Sequence, residues 1–372
     1  MRIVEICTNF RVGGIQRHAV ELAGWLRTRG HHVRLAGEPG DYADAASEPE
    51  IVALPLNSVA MSDRSIAVRV YHALRCAVRL RKVLKSGGID LVHAHETAPA
   101  LIARLATAGL GIPVAFSFHG AEQARLDSVA RIARHCSDLA ISPSRATLQM
   151  LIDRGVPASR ARVVGLGVGP HLPGTDADVA ALRSELMAGR PGILVLSLSR
   201  LDRQKGIDIM IEVARRVMRV RQDVVFAVAG HGPQADEVET WVANAGVGEN
   251  FRFLGRVDNV ATHLAAADIF LLTSRWEALP ISIVEAFRAG LPVIATDCGG
   301  VRELVSPEVG RLCDVGDVEA LSGGVLELAG DEGLRNDLGA QALALSGQAR
   351  FSPDHVNRQF EEIYAELVAG RK

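Results

Sequence analysis

The stretch that decides the fold runs over residues 268–300 and reads DIFLLTSRWEALPISIVEAFRAGLPVIATDCGG. It contains two apolar runs, DIFLLTS and PVIAT, each with the length and composition of a buried strand. Between them, the segment after Pro280 has apolar residues at helical spacing, such as Ile281 and Val284, and Gly290 stands where helices commonly end. The spacing therefore predicts a strand, a helix and a second, parallel strand.

The same alternation continues through both halves of the chain, which is typical of parallel sheets covered by helices on both faces. Near VGPHLPGTDADVAAL, Pro170, Pro173 and Gly174 disfavour any regular element. We therefore predict an α/β protein with two Rossmann-like doubly wound parallel-sheet domains, residues 1–170 and residues 171–351. The expected strands are RIVEIC, HVRLAG, IVAL, IDLVHAH, PVAFSF, LAISP and RVVGLG in the first, and GILVLSLS, DVVFAVAG, FRFLG, DIFLLTS, PVIAT and GRLCD in the second.

Composition narrows the class of protein. At 372 residues the chain suits two domains, and its five cysteines show no metal-ligand spacing, which indicates reduced thiols in the cytoplasm. The opening MRIVEICTNF passes straight into a strand pattern, so we expect no signal peptide. Residues 1–175 carry 21 Lys/Arg and 14 Asp/Glu, whereas residues 176–372 carry 20 and 29. The basic half is expected to meet an anionic partner.

Two cations lie between a predicted strand and the next helix, in LSLSRLDRQKGID. Arg200 and Lys205 would stand at the carboxyl end of the strand, beside a helix N-terminus whose free N–H groups favour anions. Two interpretations fit this turn. It is either a clamp for a diphosphate, with each close charge pair contributing a few kcal/mol, or a solvated turn.

Two glutamates flank the start of the predicted helix in the opening stretch. Glu285 lies on the helix and Glu277 in the loop before it, so the two carboxylates can serve two parts of one ligand. A carboxylate accepts two hydroxyls of a ribose, or hydroxyls of another sugar, while the first helical amides face a phosphate. The alternative is a helix with one exposed and one capping glutamate.

These motifs together resemble a known family, the GT-B retaining glycosyltransferases of glycosyltransferase family 4, also described as the glycosyltransferase group 1 domain. The resemblance rests on SLSRLDRQKGID, VAGHGP and FLGRVDNVATHLAAADIFLLTSRWEALPISIVEAFRAGLPVIATDCGG in the second half, in the expected order. In the first half it rests on VGGIQRHAVELAGWLRTRGHHV, DLVHAHE, FSFHG and ISPSRAT. It implies a GT-B fold with two domains facing a central cleft, an acceptor domain first and a donor domain second. It also implies that residues 352–372 form a helix that crosses back onto the first domain.

The resemblance assigns roles to individual residues. Glu285 would take the ribose hydroxyls and Glu277 the hydroxyls of the transferred sugar. Arg200 and Lys205 match the basic pair that holds the diphosphate and stabilises it as a leaving group. His119 of FSFHG matches the histidine placed near the reacting sugar.

Further family positions concern backbone that approaches the donor. Gly13 and Gly14 match the glycine-rich loop beside the donor phosphate and the acceptor. EALP stands where many members have EGFG, so Leu279 and Pro280, with Ile281 after them, are expected against the donor in an altered form. This variant resembles enzymes of bacterial surface-glycan assembly.

Other polar positions were weighed for a ligand. In AGHGP, Gly230 either approaches the nucleotide or serves a turn only. His93 and His95 alternate on one strand, but with no third ligand at useful spacing we expect no metal site there. The DAD at residues 176–178 precedes VAALRSEL and is interpreted as a helix cap. No cofactor or metal is expected.

A basic segment, RSIAVRVYHALRCAVRLRKVLK from Arg64 to Lys85, carries seven cations and no acid. If it is helical, an apolar stripe lies beside a basic face. That face is either a contact for anionic lipid headgroups or a solvated surface. No recognition motif accompanies it, so no nucleic-acid partner is expected. The basic patch comprises Arg75, Arg79, Arg81, Lys82 and Lys85.

The resemblance implies a retaining, metal-independent hexosyltransferase. Its donor would be a nucleoside-diphosphate sugar, with UDP favoured and GDP as the alternative, and its acceptor a saccharide, lipid-linked and used in bacterial surface-glycan assembly. The protein would be cytoplasmic, at the inner face of the membrane. The rival interpretations are another nucleotide-sugar enzyme of the same fold, such as an epimerase or a sugar-phosphate synthase, and a non-catalytic relative that binds sugar or lipid.

Overall fold

The fold was analysed in a computed structural model that describes residues 1–11, 13–42, 51–60, 65–170 and 172–370. The chain forms two compact units, Met1–Gly167 with Pro353–Lys372, and Val168–Ser352. The sequence placed the boundaries at 170/171 and 351/352. Each unit has its own parallel sheet with helices on both faces, which confirms the predicted α/β class with two Rossmann-like domains.

The first unit is built on a sheet of seven parallel strands. In chain order these are β1 (Arg2–Asn9), β2 (His32–Glu38), β3 (Ile51–Ala53), β4 (Leu91–Ala94), β5 (Val114–Ser117), β6 (Leu139–Ser142) and β7 (Ala161–Val163). Their order across the sheet is β3-β2-β1-β4-β5-β6-β7. All six pairings are parallel, so the carboxyl ends of the strands lie at one edge.

Helices cover both faces of this sheet. They are α1 (Gly14–Thr28), α2 (Asn57–Ala60), α3 (Ile66–Gly87), α4 (Thr97–Thr107), α5 (Leu126–Cys136) and α6 (Arg145–Ile152). Two apolar clusters form the core, one on each face. β4, β5 and β6 are buried along their whole length, because helices exclude water from both of their faces.

The second unit is built on six parallel strands. These are β8 (Ile193–Leu198), β9 (Val224–Ala229), β10 (Phe251–Gly255), β11 (Ile269–Leu272), β12 (Val293–Thr296) and β13 (Gly310–Cys313). Their order is β10-β9-β8-β11-β12-β13, so β8 and β11 are neighbours although 70 residues separate them along the chain. That adjacency brings the loops after β8 and β11 together.

The helices of this unit complete the strand and helix alternation. They are α7 (Asp176–Leu186), α8 (Ile207–Met218), α9 (Ala235–Ala245), α10 (Val260–Ala266), α11 (Ile281–Arg288), α12 (Val318–Gly330) and α13 (Glu332–Ser346). The chain then re-enters the first unit through α14 (Pro353–Ala369), whose Phe360 and Tyr364 join its core. Among the helices that the structure describes, none combines the length and apolar character needed to cross a bilayer.

Local signals explain several boundaries. Gly290 follows α11 with φ 69°, the left-handed conformation predicted for the residue that ends this helix. Pro280 is the residue before α11, one position earlier than the first-turn place expected from the sequence. At α7, Thr175 and Asp178 form a capping box, which confirms that the aspartates there cap a helix.

Candidate functional site

Two loops of the second unit meet at the carboxyl edge of its sheet. Residues 199–206 follow β8 and residues 273–280 follow β11, the strand beside it. Gly206 at the end of the first loop has φ 63°, and a Cβ there would lie 2.2 Å from the carbonyl oxygen of Thr273. Only glycine allows this close approach. The Thr273 hydroxyl donates to the carbonyls of Lys205 and Gly206, at 3.1 and 2.9 Å.

Arg275 ties the second loop to the first. Its guanidinium donates two hydrogen bonds to the carboxylate of Asp208, of 2.9 and 2.6 Å, and a third to the carbonyl of Arg203 at 3.0 Å. Burial alone would raise the pKa of Asp208, but the hydrogen bonds and charge of Arg275 outweigh it and hold that pKa below its usual value. Neither residue is among the predicted site residues, although Arg275 stands two positions before Glu277.

Backbone hydrogen bonds reinforce this connection. The amide of Arg275 donates to the carbonyl of Gln204 at 2.7 Å, and the Gln204 side chain donates to the carbonyl of Trp276 at 2.9 Å. Each loop therefore fixes the backbone of the other. A side chain on either loop is held at a defined distance from the opposite loop.

The structure brings two of the predicted residues into direct contact. Lys205 Nζ lies 2.5 Å from Glu277 Oε1, and the same oxygen accepts a 2.7 Å hydrogen bond from the Ser274 hydroxyl. The Glu277 residue is 6% exposed, while the Lys205 side chain is 18% exposed. A cation and a carboxylate from loops 72 positions apart thus form one rigid pair.

Arg200 lies in the same loop but has a different partner. Its Nε donates to Asp202 Oδ2 at 2.6 Å, and Asp202 Oδ1 accepts the amide of Lys205 at 3.3 Å. The Arg200 side chain is 63% exposed, so this ion pair is in contact with water. Asp202, which the sequence argument did not consider, orients one predicted cation and the backbone of the other.

Glu285 lies in the second turn of α11, where it is partly exposed. The N-terminus of α11 has no side-chain cap, and Ile283 N bonds to the carbonyl of Pro280 at 3.2 Å. Leu279 and Ile281 are partly buried and pack against the apolar core. The predicted donor-binding residues around the helix start therefore stand beside the loop that holds Glu277.

Gly230 has a structural explanation. It has φ 153°, and a Cβ would lie 1.9 Å from the carbonyl oxygen of Ser199. Gly232 is similar, with its Cβ 2.3 Å from the carbonyl oxygen of Leu201. Both glycines let this segment approach the loop that carries Arg200.

In the first unit, Gly13 and Gly14 begin α1. Gly13 is the N-cap with extended backbone, φ 177°, and Gly14 is the first helical residue. No side chain caps this end of the helix. The predicted glycine-rich loop therefore presents free helical amides, which favour a negative group.

A buried polar cluster lies below that loop. Glu5 on β1 accepts hydrogen bonds from His95 Nε2 at 2.7 Å and from the Tyr364 hydroxyl of α14 at 3.0 Å. His93 Nδ1 lies 2.9 Å from Glu5 and 2.6 Å from the Tyr364 oxygen, and His93 Nε2 is 2.8 Å from Ser117 Oγ. Burial alone would raise the pKa of the Glu5 carboxyl, but His93 and His95 outweigh it and hold that pKa well below its usual range.

His119 belongs to the same region. Its ring is stacked on that of His95, with centroids 5.8 Å apart, and lies 6.1 Å from the ring of His18 on α1. Burial, and then the neighbouring imidazoles, lower the pKa of His119 well below its usual value and that of His18 to about 3. These rings are therefore neutral at physiological pH. His18 was not singled out from the sequence.

Glu5 supplies the third group that was missing from the metal argument. Ligand atoms of Glu5, His93 and His95 all lie within 4.8 Å of one another. The atoms facing each other are already joined by hydrogen bonds of 2.7 and 2.9 Å, and Tyr364 and Ser117 complete the set. Hydrogen bonds therefore join the facing atoms of Glu5, His93 and His95, while His95 Nδ1 has no partner among the described residues.

Most of the basic segment forms α3, which begins at Ile66. Arg64 lies outside the described residues. One predicted member of the basic patch, Arg81, is partly exposed and also makes hydrogen bonds within the fold. Arg81 donates to the carbonyls of Ala106 and Ala108, at 2.9 and 2.6 Å, because these carbonyls at the end of α4 lack helical partners. Its guanidinium is therefore used inside the fold.

The rest of α3 presents a mixed surface. Apolar side chains that expose 52–56% of their area lie along it, at Val70, Leu74 and Val78, with Tyr71 beside them. An open groove of about 660 Å³ runs over this face. The cations that border it are Arg75, Arg79 and Lys82, with Lys85 exposed one turn further along the helix.

Comparison with known families gives two matches that together cover most of the chain. Residues 181–344 match the model described as "Glycosyl transferases group 1", and residues 12–172 match that of "Glycosyltransferase Family 4". The first contains both loops of the second unit. The second contains the histidines and glycines of the first unit.

Two curated relatives are similar over nearly the whole chain. A phosphatidyl-myo-inositol mannosyltransferase of Mycobacterium leprae is 30% identical over 384 residues, with 99% of this chain and 97% of the relative covered. An N-acetyl-alpha-D-glucosaminyl L-malate synthase of Bacillus anthracis is 24% identical, with 97% and 96% covered.

Solved structures show the same architecture. Anabaena HepE in complex with UDP and glucose superposes with a TM-score of 0.82 at 21% identity, covering 98% of this chain and 99% of that one. The sucrose-phosphate synthase of Thermosynechococcus elongatus gives a TM-score of 0.82 at 20% identity, covering 99% of each chain. At such identities the likeness concerns the fold.

Proposed function

The chain belongs to the group 1 glycosyltransferases, glycosyltransferase family 4, and from this premise we propose that it transfers a sugar from a nucleoside-diphosphate sugar to a saccharide acceptor with retention of configuration. One observation carries the proposal. Lys205 and Glu277 form a 2.5 Å pair between two cross-linked loops at the carboxyl edge of the second sheet. Ligands of open parallel sheets bind at this edge.

The cations of this site suit a diphosphate leaving group. Arg200 is paired with Asp202, but its own side chain is 63% exposed, so its guanidinium is open to a diphosphate. Lys205 sits deeper and stays oriented by Glu277. The uncapped amides of α11 add partial positive charge. These donors stabilise the charge that develops as the diphosphate departs.

The role of Glu277 follows from its partners. Its Oε1 already accepts hydrogen bonds from Lys205 and Ser274, and the residue is almost buried, so it is suited to hold sugar hydroxyls rather than to attack an anomeric carbon. Without a conventional nucleophile, the acceptor hydroxyl attacks from the face that the diphosphate leaves. A phosphate oxygen then takes the hydroxyl proton, and the configuration is retained. Arg200 and Lys205 perform the charge stabilisation, so the reaction needs no divalent metal.

Glu285 is proposed to bind the ribose of the nucleotide. It lies in the second turn of α11, one turn beyond the amides that would face the phosphate. In a nucleoside diphosphate the ribose is likewise the next group after the phosphates. UDP is the favoured nucleotide and GDP the alternative. One solved neighbour was crystallised with UDP-glucose, and a relative that matches 48% of this chain is a GDP-mannose-dependent mannosyltransferase.

The acceptor is proposed to be lipid-linked and the protein to contact the cytoplasmic face of an anionic membrane. α3 exposes Val70, Leu74 and Val78 in one stripe, with Arg75 and Arg79 alongside. Each basic residue near an anionic bilayer contributes about 1 kcal/mol, so this surface suffices for reversible attachment. The named substrate of the mycobacterial relatives is itself a phospholipid, phosphatidyl-myo-inositol.

The transfer reaction is tested by a donor screen in EDTA. UDP-glucose, UDP-N-acetylglucosamine, GDP-mannose and ADP-glucose are tested for thermal stabilisation, and the best donor is then incubated with phosphatidylinositol vesicles and with soluble sugars. One nucleotide class should stabilise the protein, by about 2.7 kcal/mol at a hundred times its dissociation constant. Sugar transfer to an added acceptor supports the proposal, whereas donor epimerisation or a strict manganese requirement refutes it.

Membrane contact is tested by co-sedimentation with vesicles of phosphatidylcholine alone or with phosphatidylglycerol. The double variant Arg75→Glu/Arg79→Glu should lose binding to the anionic vesicles. The matched variant Arg125→Glu/Arg131→Glu changes the same charge at two exposed arginines elsewhere on the first unit and should keep it. The membrane contact is refuted if both double variants lose vesicle binding equally, or if the wild-type protein binds to neither type of vesicle.

A further inference from the structure

Three imidazoles of the first unit converge at the carboxyl edge of its sheet. His18 comes from α1, His95 directly follows β4, and His119 lies two residues beyond β5, the strand next to β4. Their ring centroids form a nearly equilateral triangle with sides of 5.7, 6.1 and 5.8 Å. We call these three residues the histidine nest. Carboxyl edges of parallel sheets are where ligands bind.

Each ring of the nest has a nitrogen without a partner. His18 Nε2, His95 Nδ1 and His119 Nε2 are buried and form no hydrogen bond with any described residue. Within the described part of the chain, five buried side-chain nitrogen or oxygen atoms share this property, and three of them belong to the nest. Buried polar atoms nearly always have a partner, so this concentration indicates a small polar group between the rings.

The hydrogen bond to Glu5 defines what that group must offer. A carboxylate only accepts, so His95 Nε2 carries the proton that it shares with Glu5 at 2.7 Å. Burial and the neighbouring His93 lower the pKa of His95 to about 4, which keeps the ring neutral. Its Nδ1 is then a bare acceptor, and the two neighbouring imidazoles of the nest are neutral rings that can each donate.

A hydroxyl group matches this pattern because it donates one hydrogen bond and accepts others. A carboxylate or a phosphodiester anion offers no proton and would meet the lone pair of His95 Nδ1. Glu5 and Tyr364 would not contact the hydroxyl group themselves but would act through His95. Tyr364 donates to Glu5 at 3.0 Å and holds the carboxylate that orients His95.

We propose that His18, His95 and His119 together bind one hydroxyl group of a sugar or polyol substrate, in an orientation set by Glu5. The proposal rests on the proposed function, since a glycosyltransferase handles two hydroxyl-rich substrates. The hydroxyl comes either from the transferred sugar or from the acceptor. His18 and His95 are thereby added to His119 as substrate-contacting residues.

The direct test is NMR of the full chain labelled with ¹⁵N-histidine, which needs no variant of the nest. Three probes are added separately: the nucleoside diphosphate alone, the corresponding nucleotide sugar, and myo-inositol. A response of the three nest rings to the nucleotide sugar but not to the diphosphate assigns the hydroxyl to the donor. A response to myo-inositol assigns it to the acceptor. The exposed ring of His32 serves as the internal control and should not respond.

If the ¹⁵N signals of the three nest histidines change with none of the probes, the inference is overturned and the nest binds water only. The proposed function fails separately, when no nucleotide sugar raises the melting temperature. Stabilisation by a nucleotide sugar with silent nest rings therefore refutes the nest alone.

A kinetic arm uses His18→Asn with His32→Asn as the matched control. Loss of one hydrogen bond to the substrate hydroxyl should raise the KM of that substrate about tenfold, which corresponds to about 1.4 kcal/mol. Inhibition by the free nucleoside diphosphate should be unchanged. If both constants weaken together in His18→Asn, the residue has only a structural role and the inference is wrong.

Discussion

The two polar clusters of this protein use charge in opposite ways. In the second unit, Arg200 and Lys205 are paired with carboxylates in loops that are partly open to water. In the first unit, Glu5 and His93 are fully buried, and Tyr364 from the far end of the chain completes their bonds. Exposed pairs can exchange partners with a ligand, whereas a buried network cannot do so without a large cost.

The difference separates the residues that bind charge from those that hold geometry. We expect substitutions in the two loops of the second unit to change ligand binding more than folding. Substitutions in the buried cluster should change folding first. The following experiments test that contrast, beginning with the largest effect.

Glu5→Gln should destabilise the protein most. Three donors face the carboxylate, from His93, His95 and Tyr364, and removing one partner of a buried charged network costs about 3–5 kcal/mol. Urea denaturation measures the free energy of unfolding. Glu21→Gln, which alters an exposed ion pair with Arg17, is the control and should cost less than about 1 kcal/mol. An equal loss of unfolding free energy in Glu5→Gln and Glu21→Gln would contradict the proposed difference between buried and exposed ion pairs.

Lys205→Gln should reduce kcat by about a hundred- to a thousandfold, the usual effect of removing one donor to developing charge. Its melting temperature should also fall, but less than that of Glu5→Gln, because the Ser274 hydroxyl still donates to Glu277. Steady-state transfer assays measure the effect, with Arg216→Gln, an exposed cation of the same unit, as control. If Lys205→Gln kept activity within about threefold of the wild type, Lys205 would have no role in stabilising the leaving diphosphate.

Acid should destabilise the chain through the buried imidazoles. The pKa values of His18 and His95 fall to about 3 and 4 in the folded protein, against 6.5 when unfolded. Below pH 6.5 these two histidines bind protons in the unfolded chain but stay unprotonated in the folded chain. The free energy of unfolding therefore falls as pH falls from about 6.5 to 4. Each ring contributes about 1.4 kcal/mol per pH unit.

Urea midpoints measured from pH 7.5 to 5 check this dependence. His18→Gln should reduce the slope of stability against pH by the contribution of one proton. His32→Gln, at an exposed position, should leave the contribution of the nest histidines to that slope unchanged. A flat profile for the wild type would show that the buried rings titrate normally.

Asp202→Asn should have the smallest effect. The Arg200 side of the pair is exposed and Asn keeps an oxygen that can accept the Lys205 amide, so the free energy of unfolding should change by no more than about 1 kcal/mol. The KM of the donor should stay the same or fall, because the variant removes an anion that competes for Arg200. A stability loss above about 2 kcal/mol would mean that this pair is structural, as in the first unit.

The sequence predicts the fold better than the contacts. Apolar periodicity predicts the strands of both sheets, since burial on two faces demands it. The contact between Lys205 and Glu277 depends on β8 and β11 being neighbours, which no local pattern displays. The family resemblance grouped these two residues, but it gave no reason for Arg275 or Asp208.

The buried cluster was harder still to foresee. Glu5 is one acid in an apolar strand, and its partner Tyr364 lies 359 positions away. Only the return of α14 to the first unit brings them together. The hydrogen bonds of Arg81 could not be foreseen for a related reason, because its acceptors, the carbonyls at the end of α4, come within reach only once α3 and α4 pack.

The central claim is that the cross-linked loops of the second unit grip a nucleoside diphosphate by fixed charge. Calorimetric titration of UDP and GDP into the full chain, in EDTA, tests it most directly. The account predicts that one nucleotide binds without metal and that Lys205→Gln weakens its affinity at least about tenfold, since a charge-assisted hydrogen bond contributes about 1.5–3 kcal/mol. Absence of binding, or equal affinity in the variant, would contradict it.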